Sequence, residues 1–218
     1  MNIYASFTTM LRMQDEMNAM IHPDWVSQQF AWHRAGWVEC AEILDDHLAW
    51  KWWKAEQSNI EQIRLEVVDI WHFGMSAMFR KNRSIVEIAD CLLESYDRHE
   101  HEKRSWPQQD GSDESIALAT EAMAAAFLTT RDFMPLTFWP LMESVGLTVE
   151  SLYARYVGKN VLNRLRSAHG YKNGEYVKVW NGREDNDHLV EIAASLSPSD
   201  EDYPSQLYAA LEERYATI

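Results

Sequence analysis

Two acidic pairs sit where a packed helix leaves least room for charge. Glu39 and Glu42 lie three residues apart inside Trp37-Val38-Glu39-Cys40-Ala41-Glu42-Ile43-Leu44. Glu66 and Asp69 lie three apart inside Ile63-Arg64-Leu65-Glu66-Val67-Val68-Asp69-Ile70-Trp71. Residues at i and i+3 share a helical face, so each run presents two carboxylates side by side. Such a pair ordinarily marks a solvated face. Here apolar neighbours flank both pairs, and buried carboxylates are costly unless something neutralises them. If the two helices pack antiparallel, all four carboxylates converge, and a hard divalent cation is the matching partner. Magnesium prefers carboxylate oxygens and keeps positions open for substrate phosphates. A di-iron bundle is the competing metal reading. It needs two Glu-x-x-His elements and two further Glu. Asp69-x-x-His72 imitates one such element and the second is missing, while His72 also reads as a core or pocket histidine.

Helical periodicity runs through most of the chain. Phe7, Met10, Leu11, Met17, Met20 and Ile21 predict a first helix, followed by a loop at His22-Pro23-Asp24. A second helix is expected from about Gln29 to His47, closed by Trp50-Lys51-Trp52-Trp53-Lys54. A third covers about Asn59 to Arg80, packing through Ile63, Val67, Ile70, Trp71, Phe73 and Gly74. A fourth runs from Ser84, as N-cap, to about His99. Residues 100–112 hold Pro107 and Gly111 and read as a loop. Helical pattern resumes from Asp113 to about Arg131. Pro135 and Pro140 are expected to break or kink the stretch beyond Arg131. A further helix spans about Thr148 to His169, residues 171–186 read as a loop or short hairpin, and two short helices finish the chain. The fold class is therefore all-α, a helical bundle forming a single domain over residues 1–218.

The formal net charge is −14, which argues against a nucleic-acid or anionic-membrane partner. Arg12, Asp15 and Glu16 interrupt the apolar pattern of the first twenty residues, so that stretch reads as neither signal peptide nor membrane span. Cys40 and Cys91 make no disulfide framework and suggest reduced thiols in a cytoplasmic setting. Against this acidic background, Arg155, Lys159, Arg164, Arg166, Lys172, Lys178 and Arg183 form a local reversal of sign opposed only by Glu175. Lys159, Asn163 and Arg166 share one helical face. The choice lies between ordinary surface cations and a phosphate clamp, since Arg offers a planar fork to phosphate oxygens and Lys a mobile point charge. No Walker or G-x-G-x-x-G phosphate loop occurs. Ten Trp suit core packing and an oligomer interface better than base stacking.

Several runs resemble the dimeric dUTPases, within the all-α NTP pyrophosphohydrolase superfamily that also holds MazG-like enzymes. They are Met10-Leu11-Arg12-Met13-Gln14 with Asn18, Glu39-Cys-Ala-Glu42, Trp50-Lys51-Trp-Trp53-Lys54 and Glu66-Val-Val-Asp69-Ile-Trp-His72-Phe. Toward the C-terminus come Gly158-Lys159-Asn160-Val-Leu-Asn163-Arg-Leu-Arg166, Gly170-Tyr171-Lys172, Tyr176, Lys178, Trp180-Asn-Gly182 and Glu184-Asp185-Asn186. The acidic pairs alone identify the superfamily; the C-terminal run points to the dUTPase branch.

The resemblance implies a four-helix metal-binding core, a variable, mobile helical part at about 84–147, and a C-terminal phosphate-binding helix and loop. It implies hydrolysis of dUTP to dUMP and pyrophosphate, and of dUDP to dUMP and phosphate, by a homodimer. A sibling enzyme taking dCTP as well as dUTP, or a nucleotide-binding regulator, are the alternatives. Glu39, Glu42, Glu66 and Asp69 would be the catalytic carboxylates holding two or more Mg2+ ions. Lys159, Arg166, Tyr171, Lys172 and Lys178 would bind phosphate. Gln14, Asn18, Trp53, His72, Asn163 and Asn186 would contact the nucleoside.

Overall fold

The computed structural model describes residues 2–80, 83–103 and 110–218. Among these the chain is all-α, with ten α-helices and one two-stranded ribbon. No helix among the described residues is long and apolar enough to cross a membrane. The described chain falls into two compact units, Ile3–Leu152 and Tyr153–Ile218.

The first unit begins with α1 (Ile3–Ile21), a short α2 (Trp25–Gln28) and α3 (Trp32–Glu42). The expected single helix from about Gln29 is thus corrected. Gln29 adopts φ 50°, a left-handed conformation that ends α2, and the chain re-enters a helix only at Trp32. Trp25 fills the corner. It is buried, donates through Nε1 to Asp15 Oδ1 at 2.9 Å, and packs on Trp32 and Phe79. The last turn of α3 widens into a π-helical turn, Ile43–His47.

α4 (Ile60–Met78) starts at Asn59, whose side chain accepts from the Gln62 amide. α5 (Ile85–Glu102) starts with a capping box between Ser84 and Glu87, the predicted N-cap. It runs beyond His99 and takes in residues 100–102 of the loop expected over 100–112; residues 104–109 of that loop lie outside the described residues. α6 (Asp113–Thr130) is capped by Ser112, and α7 (Pro135–Ser144) contains both prolines that were expected to interrupt it. Pro135 occupies the first turn, where a missing N–H costs nothing; Pro140 lies inside the helix, where its missing N–H removes one bond, and α7 nevertheless runs on to Ser144.

The core of this unit is aromatic. Trp71 of α4 is fully buried, 4.9 Å from Phe138, 5.5 Å from Trp139 and 6.0 Å from Phe7, ring centre to ring centre. α3 packs against both α4 and α6. Along α1 the buried residues include Phe7, Met10, Leu11, Met13, Gln14 and Asn18, while Met20 and Ile21, expected on the packing face, are exposed. The core-facing stripe at i, i+3, i+4, i+7 and i+11 is therefore apolar for two turns and then polar.

α8 (Val149–Ala168) leads into the second unit. A 3-10 turn (Tyr171–Asn173) precedes β1 (Val179–Trp180) and β2 (Arg183–Glu184), which pair antiparallel with Trp180 opposite Arg183. The connecting Asn181 and Gly182 have φ 49° and 81°, the mirror-image turn that matches strand twist. The anticipated hairpin is thus present but very short. α9 (Asp185–Ala194) and α10 (Tyr203–Tyr215) close the unit.

Gly36 of α3 faces the ring of Phe127 on α6, and a β-carbon there would lie 2.3 Å from that ring. Phe127 is fully buried and has little room to withdraw. Gly36→Ala is expected to cost about 1–3 kcal/mol in chemical denaturation, the usual penalty of overpacking. An unchanged unfolding midpoint would contradict this packing of α3.

Candidate functional site

α3 and α4 present their acidic turns to each other. One carboxylate oxygen from each of Glu39, Glu42 and Glu66 lies within 4.8 Å of the others. Asp69 joins them electrostatically. The Glu39 carboxyl is pushed up to about 8, first by burial, then by the charge of Asp69, a hydrogen bond with Glu66 and the charges of Glu42 and Glu66. Each neighbour that shifts it is another carboxylate, and each shifts it the same way. Burial and like charge thus act together on Glu39, and the donor atoms of the cluster are the hard oxygens that suit magnesium. His47, on the π turn, places Nε2 3.3 Å from Glu66 Oε1. Cys40 stands beside this cluster with its thiol pushed up to about 12 by burial and by Glu39, which makes it an inert packing residue.

A neutral polar network lies next to the acidic one, because α4 continues the same face. Asp69, His72 and Ser76 follow at i, i+3 and i+7. Ser76 Oγ accepts from Gln14 Nε2 at 3.0 Å and from Asn18 Nδ2 at 2.9 Å, and donates to the His72 carbonyl at 2.9 Å. Gln14 Nε2 also donates to Asn18 Oδ1 at 3.2 Å. His72 donates from Nδ1 to Gln14 Oε1 at 2.9 Å, which fixes where that ring carries a proton. Gln14, Asn18 and Ser76 are all buried. Three expected nucleoside contacts, Gln14, Asn18 and His72, are therefore gathered around a serine that the sequence reading missed. Its signal was a hydroxyl continuing the polar face of an otherwise apolar helix.

Trp53 lies elsewhere in this unit, in the loop after the π turn. It is 55 % exposed and edge-on to Trp50 and Trp52. Trp25, Trp71 and Trp139 are core residues. Tryptophan thus serves mainly packing here, with one exposed cluster.

Within the second unit, α8 carries Lys159, Asn163 and Arg166. Arg166 forks onto Asp185, with Nε to Oδ2 at 2.8 Å and Nη2 to Oδ1 at 2.9 Å, and Nη1 reaches Asn163 Oδ1 at 3.3 Å. Tyr176 donates its hydroxyl to Asp185 Oδ2 at 2.9 Å. Tyr171 lies under the guanidinium at 6.0 Å. Lys172 and Asn186 are exposed, and Lys178 approaches Glu184 at 3.4 Å. Asp185, part of the C-terminal family run, carries no role in the sequence reading. It is an acidic side chain placed directly after a basic stretch, and it is fully buried. Burial alone pushes its carboxyl up, but the hydrogen bonds from Arg166 and Tyr176 outweigh burial and hold it below its ordinary value.

The fold and the first unit's site define an all-α protein whose acidic groups can hold a metal ion. The family model described as dUTPase matches residues 6–171, from α1 to the turn after α8. The chain belongs to that family, the all-α dimeric dUTPases. No curated protein matches the chain. Family membership supports a hydrolase acting on nucleotides.

A depressed carboxyl stabilises the fold in its ionised form. The Asp185 contribution is therefore complete above the ordinary carboxyl value of about 4 and is lost as pH falls through the lower folded value. Asp185→Asn is expected to cost about 3 kcal/mol at neutral pH, because it leaves Arg166 without its charge partner. The gap between variant and wild type should narrow below about pH 4. Urea unfolding across that range measures it, and a gap that stays constant into acid would contradict the assignment.

Proposed function

We propose that the protein is a magnesium-dependent dUTP diphosphatase, working as a cytoplasmic homodimer, that converts dUTP to dUMP and pyrophosphate and dUDP to dUMP and phosphate. The observation that carries this reading is the convergence of four carboxylates from α3 and α4 beside a buried amide network, in a chain of the dUTPase family. Glu39, Glu42, Glu66 and Asp69 would hold two or more magnesium ions, and their oxygen-only donor set fits that ion. When bound, magnesium supplies charge neutralisation to phosphate oxygens and makes water a nucleophile near neutral pH.

The chain's own groups do the rest. Glu39 accepts the proton of the attacking water at its carboxylate, a role its position among Glu42, Glu66 and Asp69 supports. The water oxygen forms its bond to phosphorus as the bond to the departing pyrophosphate breaks. Asn18 can donate to and accept from the uracil edge, Gln14, whose two amide N–H bonds are taken by Asn18 and Ser76, can accept through Oε1, and Ser76 keeps both amides oriented. Asp69 or His72 senses the sugar 3′ hydroxyl, and Trp53, Asn163 and Asn186 add nucleoside contacts. Lys159, Arg166, Tyr171, Lys172 and Lys178 bind phosphate oxygens and offset developing charge. Arg166, oriented by Asp185, contributes through its Nη1 side.

The assay is pyrophosphate release from dUTP, dCTP and the ribonucleotides, with and without Mg2+. The expected outcome is metal-dependent turnover of dUTP. Glu42→Gln and Asp69→Asn should lower kcat by about 100-fold or more, and Lys159→Ala and Arg166→Ala should lower kcat/KM by about tenfold or more. Equal turnover of dCTP would replace this reading with the broader pyrophosphohydrolase. Tight dUTP binding without turnover would replace it with a nucleotide-binding regulator. Activity in EDTA, or a fully active Glu42→Gln, would remove the metal assignment.

A further inference from the structure

Glu66 has a neighbour that the acidic pattern does not announce. His47 Nε2 stands 3.3 Å from Glu66 Oε1, and both side chains are largely shielded, at 20 % and 13 % exposure. His47 comes five residues after Glu42. In a regular α-helix that offset puts a side chain about 140° round the axis, away from the carboxylate face. The chain is not α-helical there: Ile43–His47 form a π turn, whose bonds close between residues five apart and bring such residues back toward one face. The π turn is thus the device that turns His47 toward Glu66.

That turn is tied down on both sides. The Asn59 amide, at the start of the helix that carries Glu66, donates to the His47 carbonyl at 2.9 Å. Lys51, itself buried, donates to the Asp45 carbonyl at 2.5 Å and to the Asp45 carboxylate. Of the three polar residues in this turn, Asp45 is occupied by Lys51, Asp46 faces solvent and His47 meets the cluster.

We infer that His47 is a positioning residue for the metal site. At 3.3 Å the Nε2 edge of the imidazole bounds the space open to Oε1 of Glu66 and so would limit the orientations in which that carboxylate can meet a cation. Groups behind a ligand commonly set its aim, and losing one typically costs about 10–100-fold in metal affinity. The inference rests on the four-carboxylate metal reading of the proposed function.

The test is calorimetric titration of Mn2+, as a magnesium stand-in, into the full-length metal-free protein, with folding checked by circular dichroism. His47→Ala is expected to weaken Mn2+ binding about tenfold or more. His47→Leu, closer in bulk, should do the same should the alanine variant fold poorly. His47→Gln, whose amide N–H can take the place of Nε2, should restore binding to within about threefold of wild type, which a purely space-filling role would not produce. Undiminished affinity in both His47→Ala and His47→Leu, or a loss that glutamine fails to restore, overturns the assignment. Glu66→Gln separates the two levels. If it binds Mn2+ as wild type does, the metal reading itself falls; if it abolishes binding while His47→Ala does not weaken it, only the role of His47 falls.

Discussion

Like charges held together by helix packing are the constraint on which the rest of the first unit depends. Glu39, Glu42, Glu66 and Asp69 repel one another, and left to themselves α3 and α4 would turn those faces apart. They do not, because their other faces are committed. Gly36 lets α3 sit against Phe127 of α6, and Trp71 anchors α4 among Phe7, Phe138 and Trp139. The aromatic core thus supplies the free energy that keeps the acidic turns together, and the protein carries a local electrostatic strain between them. Functional sites commonly trade stability for chemistry in this way.

The polar strip next to the carboxylates arises from the same geometry. α4 presents Asp69, His72 and Ser76 along one face, and α1 meets it with Gln14 and Asn18 where its own stripe turns from apolar to polar. Buried amides are costly unless satisfied, and Ser76 satisfies two of them at once while returning a hydrogen bond to its own helix. The network therefore has little freedom to rearrange. Its amide edges are set by the fold itself, and under the proposed function that is the condition in which hydrogen bonds discriminate best between similar bases.

Most of the helical order was legible in the sequence because period, caps and glycines agree. Ser84 is the clearest case, announced by Glu87 three residues on and realised as a full capping box. The pairing of the carboxylates was legible too, since spacing fixes a face. The features that escaped were carried by backbone detail. The left-handed Gln29 shifted the start of α3, and its cause is the tertiary anchoring of Trp25 rather than any local breaker. The π turn hid His47, because a reading at α-helical period places it on the wrong face. Ser76 and the role of Asp185 were invisible for a different reason. Serine in a helix and an acidic residue at a helix start are each ordinary alone, and only their partners reveal them: two amides for one, Arg166 and Tyr176 for the other. Pro140 shows the reverse error, an interior proline at which α7 nevertheless continues to Ser144.

The central claim is that the carboxylate cluster is an electrostatically strained cage which a divalent cation relaxes. Thermal unfolding of wild type and Glu39→Gln, each in EDTA and in millimolar Mg2+, tests it most directly. In EDTA the glutamine variant should be the more stable, by on the order of 1 kcal/mol or about 2–4 °C in Tm, because glutamine needs neither the proton nor the charge that Glu39, raised to about 8, must take on among its carboxylate neighbours. Magnesium should raise the Tm of wild type and raise that of the variant less. A variant less stable than wild type in EDTA, or a wild-type Tm that ignores magnesium, would contradict the account.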